Sequence, residues 1–203
     1  MGARVLIYDG APRSGETPLR TAWSVGARVY SAMGRVDAHH GAKSWAEALT
    51  WLGGVRPHEP IDEIQFWGHG RWGLAKIDRD ELSTRSFRRE HPHRPLLAAL
   101  KARLAPRALL WFRTCETLGA DAGQAFAKTC SEDLGVRVAG HTFVIGAWQS
   151  GLHGLAPGAT PGWDPAEGLR RGTPLEPIEA LPSSPSAPNT IHFMNGRVPE
   201  GWF

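Results

Sequence analysis

Short apolar runs, each ended abruptly by a polar residue or a glycine, restrict the folds open to this chain. The run "RVLIY" at residues 4–8 stops at Asp9 and Gly10, and "RALLWF" occupies residues 107–112. The first two are uninterrupted apolar runs, which predict strands that are buried on both faces, as in parallel sheets. A third stretch, "IDEIQFW", spans residues 61–67, is followed by Gly68 and is also predicted to form a strand.

Between these runs, apolar residues recur with helical spacing. Strands that alternate with helices of ten to fifteen residues predict βαβ units, and therefore an α/β fold whose mainly parallel sheet is covered on both faces. The apolar positions of the four predicted helices are Leu19, Ala22, Trp23, Val29, Tyr30 and Met33; Trp45, Ala48, Leu49 and Leu52; Leu96, Leu97, Leu100 and Leu104, after Pro95; and Ala122, Phe126, Cys130 and Leu134.

Composition separates a regular part of the chain from a proline-rich part. The 203 residues suffice for one domain without disulfide bonds, and its core is expected at about residues 3–148. Residues 151–190 contain eight prolines, so a loop segment is predicted over 151–189. Residues 190–203, which begin "TIHFMNG", are predicted to form a closing strand and tail.

Charge and composition argue against several classes of partner. The net charge is only +3 and the basic residues are scattered, so no nucleic-acid partner is expected. No run approaches the roughly 18 apolar residues of a membrane span, and the N-terminus does not resemble a secretory signal. Two cysteines do not make a disulfide framework, which predicts reduced thiols and a cytoplasmic protein.

Cofactor motifs were tested and rejected. The stretch "GAPRSGET" at residues 10–17 has the glycine spacing of a phosphate-binding loop, but Glu16 occupies the lysine position and would repel phosphates. The nine histidines lack the helical spacing of a zinc site, and no cysteine pair supports one. No metal or organic cofactor is therefore expected.

One histidine and one cysteine each follow a predicted strand. His69 lies between two glycines in "FWGHGRWG", and Cys115 lies in "LLWFRTCETLGADAG". The carboxyl ends of parallel strands meet at one edge of the sheet, where α/β proteins build their sites. If the two strands are neighbours, their backbones lie about 4.8 Å apart, which brings imidazole and thiol to one place.

This pair predicts thiol chemistry. A His69 imidazolium and the helix start near Gly119 would lower the pKa of Cys115, and the amide of Gly70 would help to hold an oxyanion. The glycine at Gly70 would also let a substrate backbone come close. The alternative is structural, because cysteines and strand-end histidines are often simply buried; Cys130, in line with Phe126 and Leu134, is interpreted in that way.

The order of these motifs resembles that of the caspase-like cysteine peptidases, which include caspases, legumains, gingipains, clostripain and separase. "FWGHGRWG", "LLWFRTCETLGADAGQAFA" and "LGVRVAGHTFVIG" are most similar to bacterial caspase-like domains of unassigned function, and the likeness covers about residues 61–146. The separation 115 − 69 = 46 is close to the roughly 50 residues of the caspase pattern. Where caspases have Gln-Ala-Cys-x-Gly, this chain has Arg113-Thr114-Cys115-Glu116-Thr117.

The resemblance implies a three-layer α/β/α sandwich that needs no cofactor. His69 would be the general acid or base, Cys115 the nucleophile, and the N–H groups of Gly70 and Cys115 the oxyanion hole. Arg113 would line the pocket for the residue before the scissile bond, which predicts a preference for Asp or Glu there. The loop residues Trp148, Gln149 and Ser150 would bind substrate, and the alternative is a rigid proline-rich loop with a purely structural role.

These expectations favour a cysteine endopeptidase that acts on a peptide or protein, its own chain included. Two other functions stay open. One is a catalytically silent module that binds a peptide or partner protein, and the other is an acyl-transfer enzyme that does not cleave peptides. Asp9, at the end of the first strand, is interpreted as a turn residue.

Overall fold

The computed structural model describes residues 2–11 and 17–203, so most of the rejected phosphate loop lies outside the described residues. In chain order the strands are β1 (Ala3–Asp9), β2 (Ala38–Ala42), β3 (Ile61–Trp67), β4 (His69–Arg71), β5 (Leu74–Ile77), β6 (Asp80–Ser83), β7 (Leu104–Arg113), β8 (Arg137–His141), β9 (Trp148–Gln149), β10 (Leu152–Leu155), β11 (Leu169–Gly172), β12 (Pro177–Ala180) and β13 (Ile191–His192). The α-helices are α1 (Thr17–Ala32), α2 (Trp45–Gly54), α3 (Arg94–Lys101) and α4 (Ala120–Leu134).

Six strands form the central sheet, in the order β10-β8-β7-β3-β1-β2. All neighbouring pairs in it are parallel except β10 with β8. Its central strands β1, β3 and β7 are the apolar runs predicted from the sequence. The predicted α/β class with a mainly parallel sheet is confirmed.

Alternate residues of each strand contact different layers. Val5 and Ile7 of β1 pack with α2, α3 and α4 in one hydrophobic core, whereas Leu6 packs with Ala27 and Tyr30 of α1 on the opposite face. Beyond α1, that second face is covered by the C-terminal segment through residues such as Ile191 and Val198. The layers are therefore those of a three-layer α/β/α sandwich, in which a non-helical segment covers part of one face.

The buried face of α1 differs from the predicted one. Tyr30 is buried as predicted, but Leu19, Val29 and Met33 are 49%, 40% and 49% exposed. The face that meets the sheet instead includes Ala27, because the large Tyr30 and Trp67 rings fill the space beneath the helix. Helices α2, α3 and α4 bury most of their expected residues. The exceptions are Leu96, which is half-buried, Ala122, which is exposed, and Leu104, which begins β7 rather than ending a helix.

The proline-rich segment is more regular than predicted. It contains β10, which is the sixth strand of the central sheet, and the antiparallel pair β11–β12. Leu152 and Leu155 are buried at the two ends of β10, and the first proline of the segment, Pro157, comes only after this strand has ended. The strand at the chain's end, β13, pairs with β9 outside the central sheet. None of the helices in the described ranges is long and apolar enough to cross a membrane.

Candidate active site

The strands that carry the two candidate catalytic residues are direct neighbours. β3 pairs with β7 in parallel, and Trp67 lies opposite Arg113 at the carboxyl edge. His69 comes two residues after Trp67, and Cys115 comes two residues after Arg113. Both line one cavity of about 690 Å³. The sheet therefore brings together the two residues that the sequence singled out.

An aromatic side chain from α1 contacts the candidate base. His69 is half-buried as the first residue of β4, and its ring meets Trp23 edge-on with centroids 5.1 Å apart. Edge-to-face contacts of this kind are favourable and restrict ring orientation. Trp23 therefore orients the imidazole from the helix side of the cavity.

The thiol of Cys115 is less acidic than the sequence led us to expect. Burial raises its pKa, the backbone at Ile145 partly offsets this, and the negative charge of Glu116 raises it further. The Sγ atom lies 4.0 Å from the carbonyl oxygen of Ile145. The predicted lowering by His69 and by the start of α4 is wrong for this conformation, because desolvation disfavours a thiolate.

The turn after Cys115 forms with Thr117 at the position of the caspase glycine, and its strained residue is Glu116. Glu116 adopts a left-handed backbone conformation with φ of 36°, which costs a residue with a side chain about 1–2 kcal/mol. A hydrogen bond from its amide to the carbonyl of Phe143, at 2.9 Å, helps to hold this conformation. Burial raises the pKa of the Glu116 carboxyl, and the positive charge of Arg71 acts in the opposite direction.

Gly70 is required for contact between two loops. A Cβ atom at this position would lie 2.6 Å from the carbonyl oxygen of Cys115 and would also overlap Thr117 Oγ1. Next to it, the amide of Gly73 donates to the carbonyl of Thr117 at 3.0 Å. The structure therefore gives a different reason for this glycine from the predicted substrate approach: it lets the β4–β5 hairpin pack against the nucleophile turn.

Arg113 is occupied by the protein itself. Its five N–H donors make five hydrogen bonds: two to Gln149 Oε1, one each to Tyr30 Oη and the Phe193 carbonyl, and a long one of 3.5 Å to Gln65. It is only 3% exposed, and its pKa is lowered by burial. The geometry is at odds with the predicted role of Arg113 in recognising a substrate carboxylate.

The other predicted substrate-binding residues have separate roles. Gln149 borders the cavity, but its amide oxygen holds Arg113. Ser150 is completely buried and its hydroxyl donates to the Ser184 carbonyl, so it fastens the loop rather than facing substrate. Trp148 is 42% exposed and meets His192 edge-on, outside the cavity lining.

Sequence reasoning missed two segments that line the cavity. One is the exposed apolar side of α1, including Leu19 and Val25, and the other is the stretch from His192 to Met194 near the end of the chain. A signal for the first was present, since α1 has more apolar positions than one sheet-facing stripe requires. No local signal marked the second.

Asp9, at the end of β1, is hydrogen-bonded to backbone amides. The Asp9 carboxylate accepts from the amides of Ala11 and Asp78, at 3.0 and 3.3 Å, which agrees with a turn role. Within the part of the chain that the structure describes, no three His, Cys, Asp or Glu side chains form a group that could hold a metal ion.

Comparisons with known proteins return no match, either to a protein-family model or to a curated protein. The likeness to caspase-like peptidases therefore rests on the order of the motifs along the sequence.

Proposed function

We propose that this protein is a cysteine endopeptidase with Cys115 as nucleophile and His69 as general base. The observation that carries the proposal is their placement. Trp67 and Arg113 lie opposite each other on adjacent parallel strands, and His69 and Cys115 each come two residues later. Both residues line the same cavity. A thiol and an imidazole in one cavity are the groups that acyl transfer through a covalent intermediate requires.

The raised pKa of Cys115 determines when its proton leaves. The thiol is protonated at rest, so His69 accepts the proton while the sulfur–carbon bond forms and the carbonyl π electrons move to oxygen. As the carbon–nitrogen bond breaks, protonated His69 gives the proton to the departing amine. Water, deprotonated by His69, then hydrolyses the thioester and releases Cys115.

Backbone amides are proposed to stabilise the oxyanion. Within residues 2–11 and 17–203, the amide of Cys115 makes no hydrogen bond to another residue. Gly70 is proposed as the second donor, because it lies against the Cys115 turn. Donors fixed in position before the reaction stabilise the tetrahedral intermediate without a reorganisation cost.

A second function, binding of a peptide without cleavage, has its own support. The raised pKa of Cys115 and the adjacent Glu116 both oppose formation of the thiolate that attacks. The cavity would still accept a peptide in that case.

Both cysteines are free, which suits a reducing compartment such as the cytoplasm, where we propose that the protein works.

Alkylation of Cys115 tests the proposal. The rate of iodoacetamide labelling is measured against pH by peptide mass spectrometry in the wild type and in His69→Ala, with the fully buried Cys130 as internal control. We expect Cys115 to label in the folded protein, at least about tenfold more slowly in His69→Ala, and Cys130 to label only after unfolding. Peptide-library cleavage is expected to disappear in Cys115→Ala.

Other results would assign the chain differently. Equal labelling of Cys115 in the two proteins, with no peptide cleaved, would contradict the endopeptidase and favour the binding module. Labelling that depends on His69 without any peptide hydrolysis would indicate an acyl-transfer enzyme of another kind.

A further inference from the structure

We infer that the cavity selects a large apolar residue on the acyl side of the scissile bond, in place of the acidic residue expected from the sequence. This inference rests on the proposed function, since it names the substrate class of the same site. It follows from the side chains of the described cavity lining and from the charges that these described residues lack.

The walls are apolar and partly exposed. Leu19, Val25 and Val29 of α1 are 49%, 50% and 40% exposed, and Val144, which follows β8, is 39% exposed. All four border the cavity that contains His69 and Cys115. Large apolar side chains clustered at a concave site indicate a surface that an apolar group covers when it binds.

The described lining residues offer little charge to complement a charged substrate residue. They include no aspartate or glutamate that could pair with a substrate lysine or arginine. Among these described residues Arg113 is the one fixed cation, and its five donors are already used within the protein. A carboxylate would be desolvated beside Arg113 without gaining a hydrogen bond from it, which is unfavourable.

The covalent step places this selection on the acyl half of the substrate. Once the amine has left, only the acyl portion remains attached to Cys115, which lines the cavity. A volume of about 690 Å³ exceeds that of a single side chain. The cavity therefore has room for the residue next to the thioester, such as leucine, methionine or phenylalanine, and for a second apolar residue before it.

Matched peptide amides test the inference. Substrates that differ only at the acyl-side residue, carrying leucine, phenylalanine, aspartate or arginine, are compared by kcat/KM. We expect the leucine and phenylalanine peptides to exceed the other two by at least about tenfold, the discrimination that apolar pockets reach. A higher kcat/KM for the aspartate or arginine peptide would overturn the inference.

Two substitutions, one in α1 and one just after its end, form a matched pair. Val29→Glu places a carboxylate in the cavity, whereas Met33→Glu changes a similarly exposed position outside the described lining. We expect Val29→Glu to reduce kcat/KM for the leucine peptide at least about tenfold, while Met33→Glu leaves it near the wild-type value. Equal losses in both variants would contradict a contact with substrate. Iodoacetamide labelling of Cys115 in both proteins reports whether the dyad is intact.

Binding to Cys115→Ala separates this inference from the proposed function. Calorimetric titration of that variant with the same peptides measures selection without catalysis. Tighter binding of the apolar peptides supports the inference even where the wild type cleaves none of them. If labelling of Cys115 depends on His69 but Cys115→Ala binds acidic peptides more tightly, the inferred apolar selectivity is wrong and the proposed dyad is retained.

Discussion

Glu116 is the residue next to the candidate nucleophile, and it influences Cys115 in two ways. Its left-handed backbone forms the turn that presents the cysteine, and its carboxylate raises the pKa of the thiol. The glycine of the caspase pattern falls at Thr117 in this chain, and the residue directly after the cysteine is Glu116, which carries a negative charge. The charge therefore works against the proposed chemistry, while the backbone conformation makes it feasible.

Glu116→Gln is expected to make Cys115 more acidic. The substitution removes the charge and keeps the size of the side chain, and a unit charge several ångströms away in a water-like medium contributes under about 1 kcal/mol. The midpoint of the pH profile for Cys115 alkylation should fall by about half a pH unit. Glu132→Gln, on a distant part of α4, serves as control. An unchanged or higher midpoint in Glu116→Gln would show that the carboxylate does not act on the thiol.

The contact between the β4–β5 hairpin and the nucleophile turn sets the distance between the two catalytic candidates. Gly70 packs so closely against the Cys115 carbonyl that a Cβ atom on it would lie 2.6 Å from the oxygen. The Thr117 hydroxyl donates to the carbonyl of Leu74 at 3.3 Å. The Thr114 and Thr117 hydroxyls are 2.5 Å apart within the same turn. His69 and Cys115 therefore belong to two loops that are held together by backbone and hydroxyl contacts.

Gly70→Ala is expected to separate these loops. The new methyl group meets backbone and Thr114 Cβ, which have no flexible end to move aside, so the free energy of unfolding should fall by roughly 1–3 kcal/mol. Displacement of His69 should reduce kcat/KM by at least about tenfold. The control is Gly53→Ala in α2, where nothing lies within 4 Å of an added Cβ. Comparable losses in both variants, measured by urea unfolding and peptide hydrolysis, would contradict the loop contact.

Arg113 joins four separate elements. From the end of β7 it hydrogen-bonds Tyr30 of α1, Gln149 of β9 and the carbonyl of Phe193, and its guanidinium lies 4.5 Å from the centre of the Trp111 ring. The planar guanidinium has five N–H donors that can bond all of these partners at once. The ammonium group of lysine has only three donors and cannot replace it.

Arg113→Lys is therefore expected to affect stability rather than selectivity. The loss of two or more hydrogen bonds to a buried charge should lower the free energy of unfolding by roughly 2–4 kcal/mol. The ratio of kcat/KM for aspartate and leucine peptides should stay unchanged, because Arg113 does not meet the substrate. If that ratio changes severalfold while the unfolding midpoint in urea does not, Arg113 contacts the substrate after all.

A buried histidine outside the site makes the stability of the domain depend on pH. His141, at the end of β8, is completely buried, and its Nδ1 is 3.1 Å from the Ser150 carbonyl. Burial lowers its pKa from 6.5 to about 3, with a further contribution from the charge of Arg113. Between these values the unfolded chain binds a proton that the folded protein excludes, so His141 destabilises the fold as pH falls from 6.5 towards 3.

His141→Asn is expected to flatten this pH dependence. The asparagine amide can donate to the Ser150 carbonyl but does not titrate. Each proton taken up only by the unfolded state removes about 1.4 kcal/mol per pH unit, and the variant should lack that contribution. Urea unfolding at pH 7 and at pH 5 measures it. An equal loss of stability in wild type and variant would show that His141 is not the group responsible.

Local patterns in the sequence were enough to predict the sheet and the candidate dyad. Apolar runs and helical spacing follow from which neighbours along the chain must be buried, so β1, β3, β7 and the buried sides of α2, α3 and α4 could be read directly. The parallel arrangement then placed His69 and Cys115 at one edge, because adjacent parallel strands end together.

The environment of those two residues could not be predicted in that way. Arg113 is held by Tyr30 and Phe193, which lie 83 and 80 residues away along the chain, and neither partner is marked by a local motif. The raised pKa of Cys115 and the apolar cavity beside α1 likewise arise only when separate segments meet. Periodicity is a property of neighbours in sequence, whereas desolvation, hydrogen-bond partners and cavity shape depend on neighbours in space.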